Sequence, residues 1–224
     1  GALDLDLPEI KIRLDASGAI AGVVSRLRND AHRLIEECMI AANVEAARYL
    51  RRHKLTTLYR VHAGPEGDKL EELRLLFQGL GIPIADTAGT KPKEINRVLR
   101  QISDRPDFPM LAPAVLRSIK QAVYQPANYG HFGLALNCYA HFTSPIRRYP
   151  DLLVHRGIGH LLDGGKPAAF PVDVPAAEQL GTITSVQERR ADEATRYVEA
   201  RCKCLFMQEH VGATLRRRPG GREP

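Results

Sequence analysis

Eleven residues, His141-Phe142-Thr143-Ser144-Pro145-Ile146-Arg147-Arg148-Tyr149-Pro150-Asp151, combine hydroxyls, two arginines, aromatic rings and a helix start. This set suits gripping a phosphate backbone. A guanidinium forks onto two phosphate oxygens at once, which an ammonium does not do. Pro150 fits the first turn of a helix, where its missing N–H is no loss. Asp151 just inside that start meets the positive end of the helix dipole, and the same helix end offers backbone N–H groups to an anion. Arg147 is the main candidate for contact with a phosphoryl group, where it would stabilise charge building on the oxygens. Arg148, Tyr149 and Arg156 are further candidates for the same strand, each against the plain alternative of a solvent-facing side chain. Thr143 and Ser144 either donate to phosphate or satisfy the turn themselves. His141 and His155 line a channel or are satisfied structural histidines, the commoner case.

Elements on both sides must position this stretch. Glu9 to Leu14 alternates polar and apolar, Asp15-Ala16-Ser17-Gly18 is a turn, and Ala21-Gly22-Val23-Val24 completes a hairpin. A long helix is expected from near Asn29 to about His53. Its run Cys38-Met39-Ile40-Ala41-Ala42 covers every face of a helix and is expected to be buried all round. Helices are further expected from Leu70 to Gly79, Lys91 to Ser103 and Ala112 to Tyr124. A strand, His131 to Ala140, leads into the arginine-bearing loop. A helix then reaches about Leu162, and a last long one runs from Val174 to about His210, with a possible break near Gly181.

Glu36 and Glu37 each lie four residues before a member of the apolar run, so at least one carboxylate is expected to point inward. A buried acid needs a partner or a task. Arg33 is the structural partner the sequence offers. Glu188, Arg189, Arg190, Asp192, Glu193 and Arg196 form a mixed-charge helix surface, by default solvated. Arg189 and Arg190 are candidates for tracking phosphates with salt-dependent affinity.

The 224 residues carry 44% hydrophobic and 26% charged residues, ordinary for a globular protein of one or two domains. Net charge is +6 and the pI about 9.3, which is compatible with nucleic acid. No apolar run approaches the roughly 20 residues needed to span a bilayer. Gly1-Ala2-Leu3-Asp4 has no features of a secretory signal. The four cysteines, Cys38, Cys138, Cys202 and Cys204, form no C-x-x-C pair, so neither a zinc site nor a disulfide framework is expected, and a reducing cytoplasm fits. Aromatic residues make up only 6%, so no base-stacking platform is evident.

Three segments resemble one family. His131-Phe132-Gly133-Leu134-Ala135-Leu136 with His141 to Arg156 closely resembles the signature of the ribonuclease II/R family, whose RNB domain is the catalytic domain of processive 3′→5′ exoribonucleases. Ile35 to Asn43 resembles the family's long-helix motif. Glu188 to Arg196 is similar to the ribonuclease R branch, as is Thr195, where the ribonuclease II branch tends to carry an acid. Tyr197 departs from that pattern.

The resemblance implies an α+β fold, here mainly helical with a few strands. It implies that residues 1–211 are the C-terminal portion of an RNB domain, and that residues 212–224 are the truncated start of a following RNA-binding domain or a disordered basic tail. It implies single-stranded RNA as substrate, 5′-mononucleotides as product, Arg147 at the scissile phosphate and Glu37 on the ribose 2′-hydroxyl, where an acceptor tells RNA from DNA. Family members hydrolyse RNA with metal ions held by closely spaced aspartates. Asp4 and Asp6 are the nearest approach to such a cluster and do not match the family's motif. The expectation is therefore that Mg²⁺ belongs to the complete enzyme with ligands outside this chain, that the upstream half of the catalytic domain is a partner, and that the chain alone is inactive. The alternative is a non-catalytic single-stranded RNA-binding module that keeps Arg147 for phosphate grip. No membrane partner is expected.

Overall fold

The computed structural model describes residues 2–3, 9–26, 29–82 and 91–213. It is mainly helical with two small antiparallel sheets, the α+β class expected from the sequence. The chain divides into two compact units, residues 1–6 with 29–188, and residues 7–28 with 189–224.

In the smaller unit, β1 (Glu9–Leu14) pairs with β2 (Ile20–Arg26), Lys11 opposite Val24 and Ile12 opposite Val23. The Asp15 carboxylate closes the turn by accepting from the Ser17 and Ala19 amides and the Ser17 hydroxyl. These bonds, the Ser17 hydroxyl first, lower its pKa.

The larger unit begins with α1 (Asp30–Arg52), capped by Asn29, whose side chain accepts from the His32 amide while the His32 ring takes the Asn29 N–H. There follow β3 (Tyr59–Val61), α2 (Gly67–Gly79), α3 (Pro92–Ile102), α4 (Phe108–Ser118), β4 (Val123–Gln125), α5 (Tyr149–Leu162) and the first part of α6 (Val174–Gln208), whose residues from Arg189 on belong to the smaller unit. Helices α2 to α4 enclose one core built on Phe77, Ile102 and Val115. A second core joins the C-terminal half of α1 (Ala46, Ala47, Leu50) to β3 and to Val154 of α5. Among the described residues no helix is long and apolar enough to cross a membrane.

Four expectations are corrected. Residues 131–140 are not a strand but a tight turn with two isolated bridges, His131 to Leu136 and His62 to His131. Gly130 at φ +78° and Ala135 at φ +53° reverse the chain there, and a Cβ on Gly130 would stand 2.9 Å from the Leu136 carbonyl. The helix expected over 112–124 is shifted to Phe108–Ser118, because Val123–Gln125 instead pairs with β3. Helix α6 runs unbroken through Gly181. That glycine lets the helix touch β4, since a Cβ there would lie 2.5 Å from the Tyr124 carbonyl oxygen. One turn on, the Ser185 hydroxyl donates to the Gly181 carbonyl and accepts from the Tyr124 amide.

The fourth correction concerns the apolar run of α1. Cys38, Met39 and Ala41 are exposed, and burial begins only at Asn43. The packing partners of α1 lie along its C-terminal half. One side of the N-terminal half lines a groove.

Candidate functional site

The groove has a volume of about 470 Å³. From α1 it is lined by His32, Ile35, Glu36, Met39, Ile40 and Asn43. Their spacing of three and four residues is one stripe of a 3.6-residue helix. Across from α1 the lining is Leu134, Tyr139, His141, Thr143 and Arg148. Glu37 sits about 100° around the helix from Glu36 and is not part of this lining. Both carboxylates are on exposed residues, which corrects the expectation of an inward acid. Arg33 lies 3.8 Å from Asp30.

The loop between Ala140 and α5 is pinned by two buried side chains. Asn43, 3% exposed, accepts from the Phe142 and Thr143 amides at 2.8 and 3.2 Å and donates to the Tyr139 hydroxyl at 3.0 Å. Asp151, fully buried, accepts from the Ser144 amide at 2.8 Å and from the Arg148 guanidinium at 2.7 Å through the same Oδ1. Its role as a buried anchor goes beyond the helix-dipole contact read from the sequence. The Arg147 and Arg148 amides both donate to the Ser144 carbonyl. These five loop amides are thus committed inside the protein, so an anion at this loop meets side chains in place of that backbone.

Arg147 is exposed at the end of the pinned loop and makes no ion pair among the described residues. Arg148 faces the groove while tied to Asp151. The Thr143 hydroxyl is buried without a hydrogen-bond partner. Tyr149 and Arg156 line a different hollow of about 390 Å³, with His160, Asp163 and Phe170. The structure therefore brings Thr143 and Arg148 together with Glu36, and sets Tyr149 and Arg156 apart from them. Arg189 and Arg190 belong to the other unit, Arg189 half-buried and Arg190 exposed.

Behind the groove lies a run of aromatic and imidazole rings. His62, His131, Tyr139, His141 and Tyr124 succeed one another with centroids 4.8 to 5.6 Å apart. Burial, and after it nearby cations, lowers the pKa of His131 and of His141 to about 3. Burial also raises Tyr124 to about 12. Arg60 stands 4.5 Å from the centroid of the Tyr124 ring and pairs with Glu188 at 2.5 Å. With Arg60 only 14% and Glu188 30% exposed, Glu188 is not the solvated face expected of it.

A sequence model of the RNB domain family matches residues 1–164. The chain belongs to the RNB domain family. It is 42% identical over 220 residues to ribonuclease R of Escherichia coli K12, a match that covers 95% of this chain and 27% of that protein. Ribonuclease R of Mycoplasma genitalium, solved in complex with ribose-methylated single-stranded RNA, superposes with a TM-score of 0.82 at 27% identity, covering 94% of this chain and 33% of the other. The same protein in complex with double-stranded RNA gives a TM-score of 0.84 at 27% identity, covering 95% and 38%. The chain thus spans about a quarter to two-fifths of the length of these relatives.

The metal ion that the family resemblance implies finds no fit in the described part of this chain. Among the described residues no three His, Cys, Asp or Glu side chains form a group that could hold a metal ion, and the fully buried carboxylate at the loop, Asp151, bonds Ser144 and Arg148 through Oδ1 and offers only its lone Oδ2. Asp4 and Asp6 lie outside the described residues. No described residue is therefore assigned to a metal.

The residues that sequence reasoning passed over are Asn43 and the Tyr124–His141 pair. Asn43 carries a visible signal: it is the polar end of the stripe 32, 35, 36, 39, 40, 43. Tyr124 carries none, because its partner is 17 residues away across a turn that reads as a strand.

Proposed function

We propose that this chain is the C-terminal portion of the catalytic domain of a 3′→5′ exoribonuclease of the ribonuclease R type, and that it supplies the grip on the RNA strand and on the scissile phosphate. The observation that carries the reading is Arg147, exposed and without an ion pair on a loop whose backbone is fixed by Asn43 and Asp151. A guanidinium held on a rigid loop meets a phosphoryl group without reorganising at the moment of reaction, which is where electrostatic stabilisation is most effective. The matched relatives are ribonucleases R, one of them bound to single-stranded and to double-stranded RNA.

In this reading the strand lies along the groove stripe of α1, with Thr143, Ser144 and Arg148 beside it. Glu36, in place of Glu37, is the carboxylate that meets a ribose hydroxyl. Tyr149 and Arg156 contact a more distant part of the strand, and Arg189 and Arg190 are further candidates for phosphate contacts. Residues 1–211 belong to the RNB domain, and residues 212–224 are the start of a following RNA-binding domain or a basic tail. Mg²⁺ is held by acidic residues of the upstream half of the catalytic domain, and the enzyme works in the cytoplasm.

The test is an end-labelled single-stranded RNA incubated with Mg²⁺ and this chain, alone and joined to the upstream half, followed for mononucleotide release. Release is expected only from the joined protein, with its loss in Arg147→Ala. Release from the isolated chain would contradict the placement of the metal ligands. RNA binding without release from the joined protein would favour a non-catalytic RNA-binding module.

A further inference from the structure

His141 lines the groove with one ring nitrogen already fixed. Its Nδ1 lies 2.8 Å from the Tyr124 hydroxyl, and Tyr124 and Tyr139 both meet the imidazole edge-on with centroids 5.6 Å away. The Tyr124 hydroxyl has no other hydrogen-bond partner among the described residues. Donation to Nδ1 is therefore the arrangement that uses its proton, and it leaves the ring proton of His141 on Nε2. That nitrogen makes no hydrogen bond among the described residues.

The charges around the ring disfavour a second proton. Arg148, Arg60, Arg147 and His131 all push against it, after burial itself. The two nearby anions are each engaged by an arginine, Asp151 by Arg148 and Glu188 by Arg60. From α1 the groove also receives His32 and Glu36. A neutral N–H donor among arginines is suited to an anionic oxygen.

We propose that His141, locked in one tautomer by Tyr124, donates from Nε2 to a phosphodiester oxygen of the strand in the groove and so helps to position it. The proposal rests on reading the groove as an RNA groove. It makes Tyr124 a positioning residue that acts through His141.

The test is fluorescence anisotropy of the full chain with a labelled single-stranded oligoribonucleotide and with the deoxyribonucleotide of the same sequence, from pH 6 to 8. A hydrogen bond to a charged group is worth about tenfold or more in affinity. His141→Phe keeps the ring stack and removes the donor, so it is expected to weaken both oligonucleotides about tenfold, by the same factor at every pH. His141→Gln, which restores a neutral N–H, is expected to recover most of the loss. Tyr124→Phe is expected to cause a smaller loss. Equal affinity of wild type and His141→Phe would overturn the proposal and leave the RNA reading standing. Failure of the wild-type chain to bind either strand would instead contradict the RNA reading. A loss confined to RNA would assign the contact to the ribose hydroxyl, and a loss that grows as pH falls would assign it to an imidazolium. Either result contradicts the proposal. Where circular dichroism shows His141→Phe to be misfolded, Tyr124→Phe carries the test, and wild-type affinity in that variant would overturn it.

Discussion

Asn43 on α1 and Asp151 on α5 hold three consecutive amides of one loop: Asn43 those of Phe142 and Thr143, Asp151 that of Ser144. Two side chains from different helices, far apart in sequence, thus fix the segment that carries Arg147.

Asn43→Ala leaves the two amides and the Tyr139 hydroxyl without their partner. Each unsatisfied buried group costs about 1–3 kcal/mol, and some relaxation is available, so the variant is expected to lose roughly 2–4 kcal/mol in urea unfolding. A loss below about 0.5 kcal/mol, within the range of ordinary surface substitutions, would mean that Asn43 does not pin the loop.

Asp151→Ala removes the charge that faces Arg148 and strands the Ser144 amide. Breaking a buried pair from one side costs about 3–5 kcal/mol. Asp151→Asn keeps an acceptor for the amide and is expected to fall between wild type and Ala. The order wild type, Asn, Ala in urea midpoint checks this, and equal midpoints for Asn and Ala would contradict the amide contact.

Gly181→Ala would place a methyl group against the Tyr124 carbonyl. The backbone on both sides must shift, and overpacking of this kind costs about 1–3 kcal/mol. Gly159→Ala, where no atom lies within 4 Å of the new Cβ, is the control, expected to be neutral or slightly stabilising.

Stability should depend on acid in a defined window. His131 and His141 sit at about 3 when folded, against 6.5 for the ordinary ring. Between these values the unfolded chain binds more protons than the folded one, so stability rises with pH across the window and levels off above 6.5. Urea midpoints from about pH 4 to 8 check this, and His141→Phe is expected to flatten the acid side.

Local pattern carried much of the fold. The start of α1 at Asn29, the hairpin at Asp15 and the helix start at Pro150 were legible because caps, turns and first-turn prolines act within a few residues. What escaped depended on distant partners. The run Cys38 to Ala42 reads as buried, because composition cannot tell a core from a groove wall. The segment 131–140 reads as a strand, because its apolar residues hide the reversal at Gly130 and Ala135. That Glu36 lines the groove has no local signal, because the facing wall is formed by Thr143 and Arg148, far along the chain. Arg147 is the residue the local pattern points to most directly, while the hold of Asn43 on its loop, 99 residues away in sequence, has no local signal.

The most direct measurement is the salt dependence of single-stranded RNA binding by this chain and by Arg147→Ala. Each phosphate contact contributes about 0.7 to the slope of log affinity against log salt for a single strand. Wild-type binding is expected to weaken with salt, and Arg147→Ala to show a lower affinity with a slope shallower by about 0.7. An unchanged slope and affinity would mean that Arg147 does not touch the strand, and the central claim would fall.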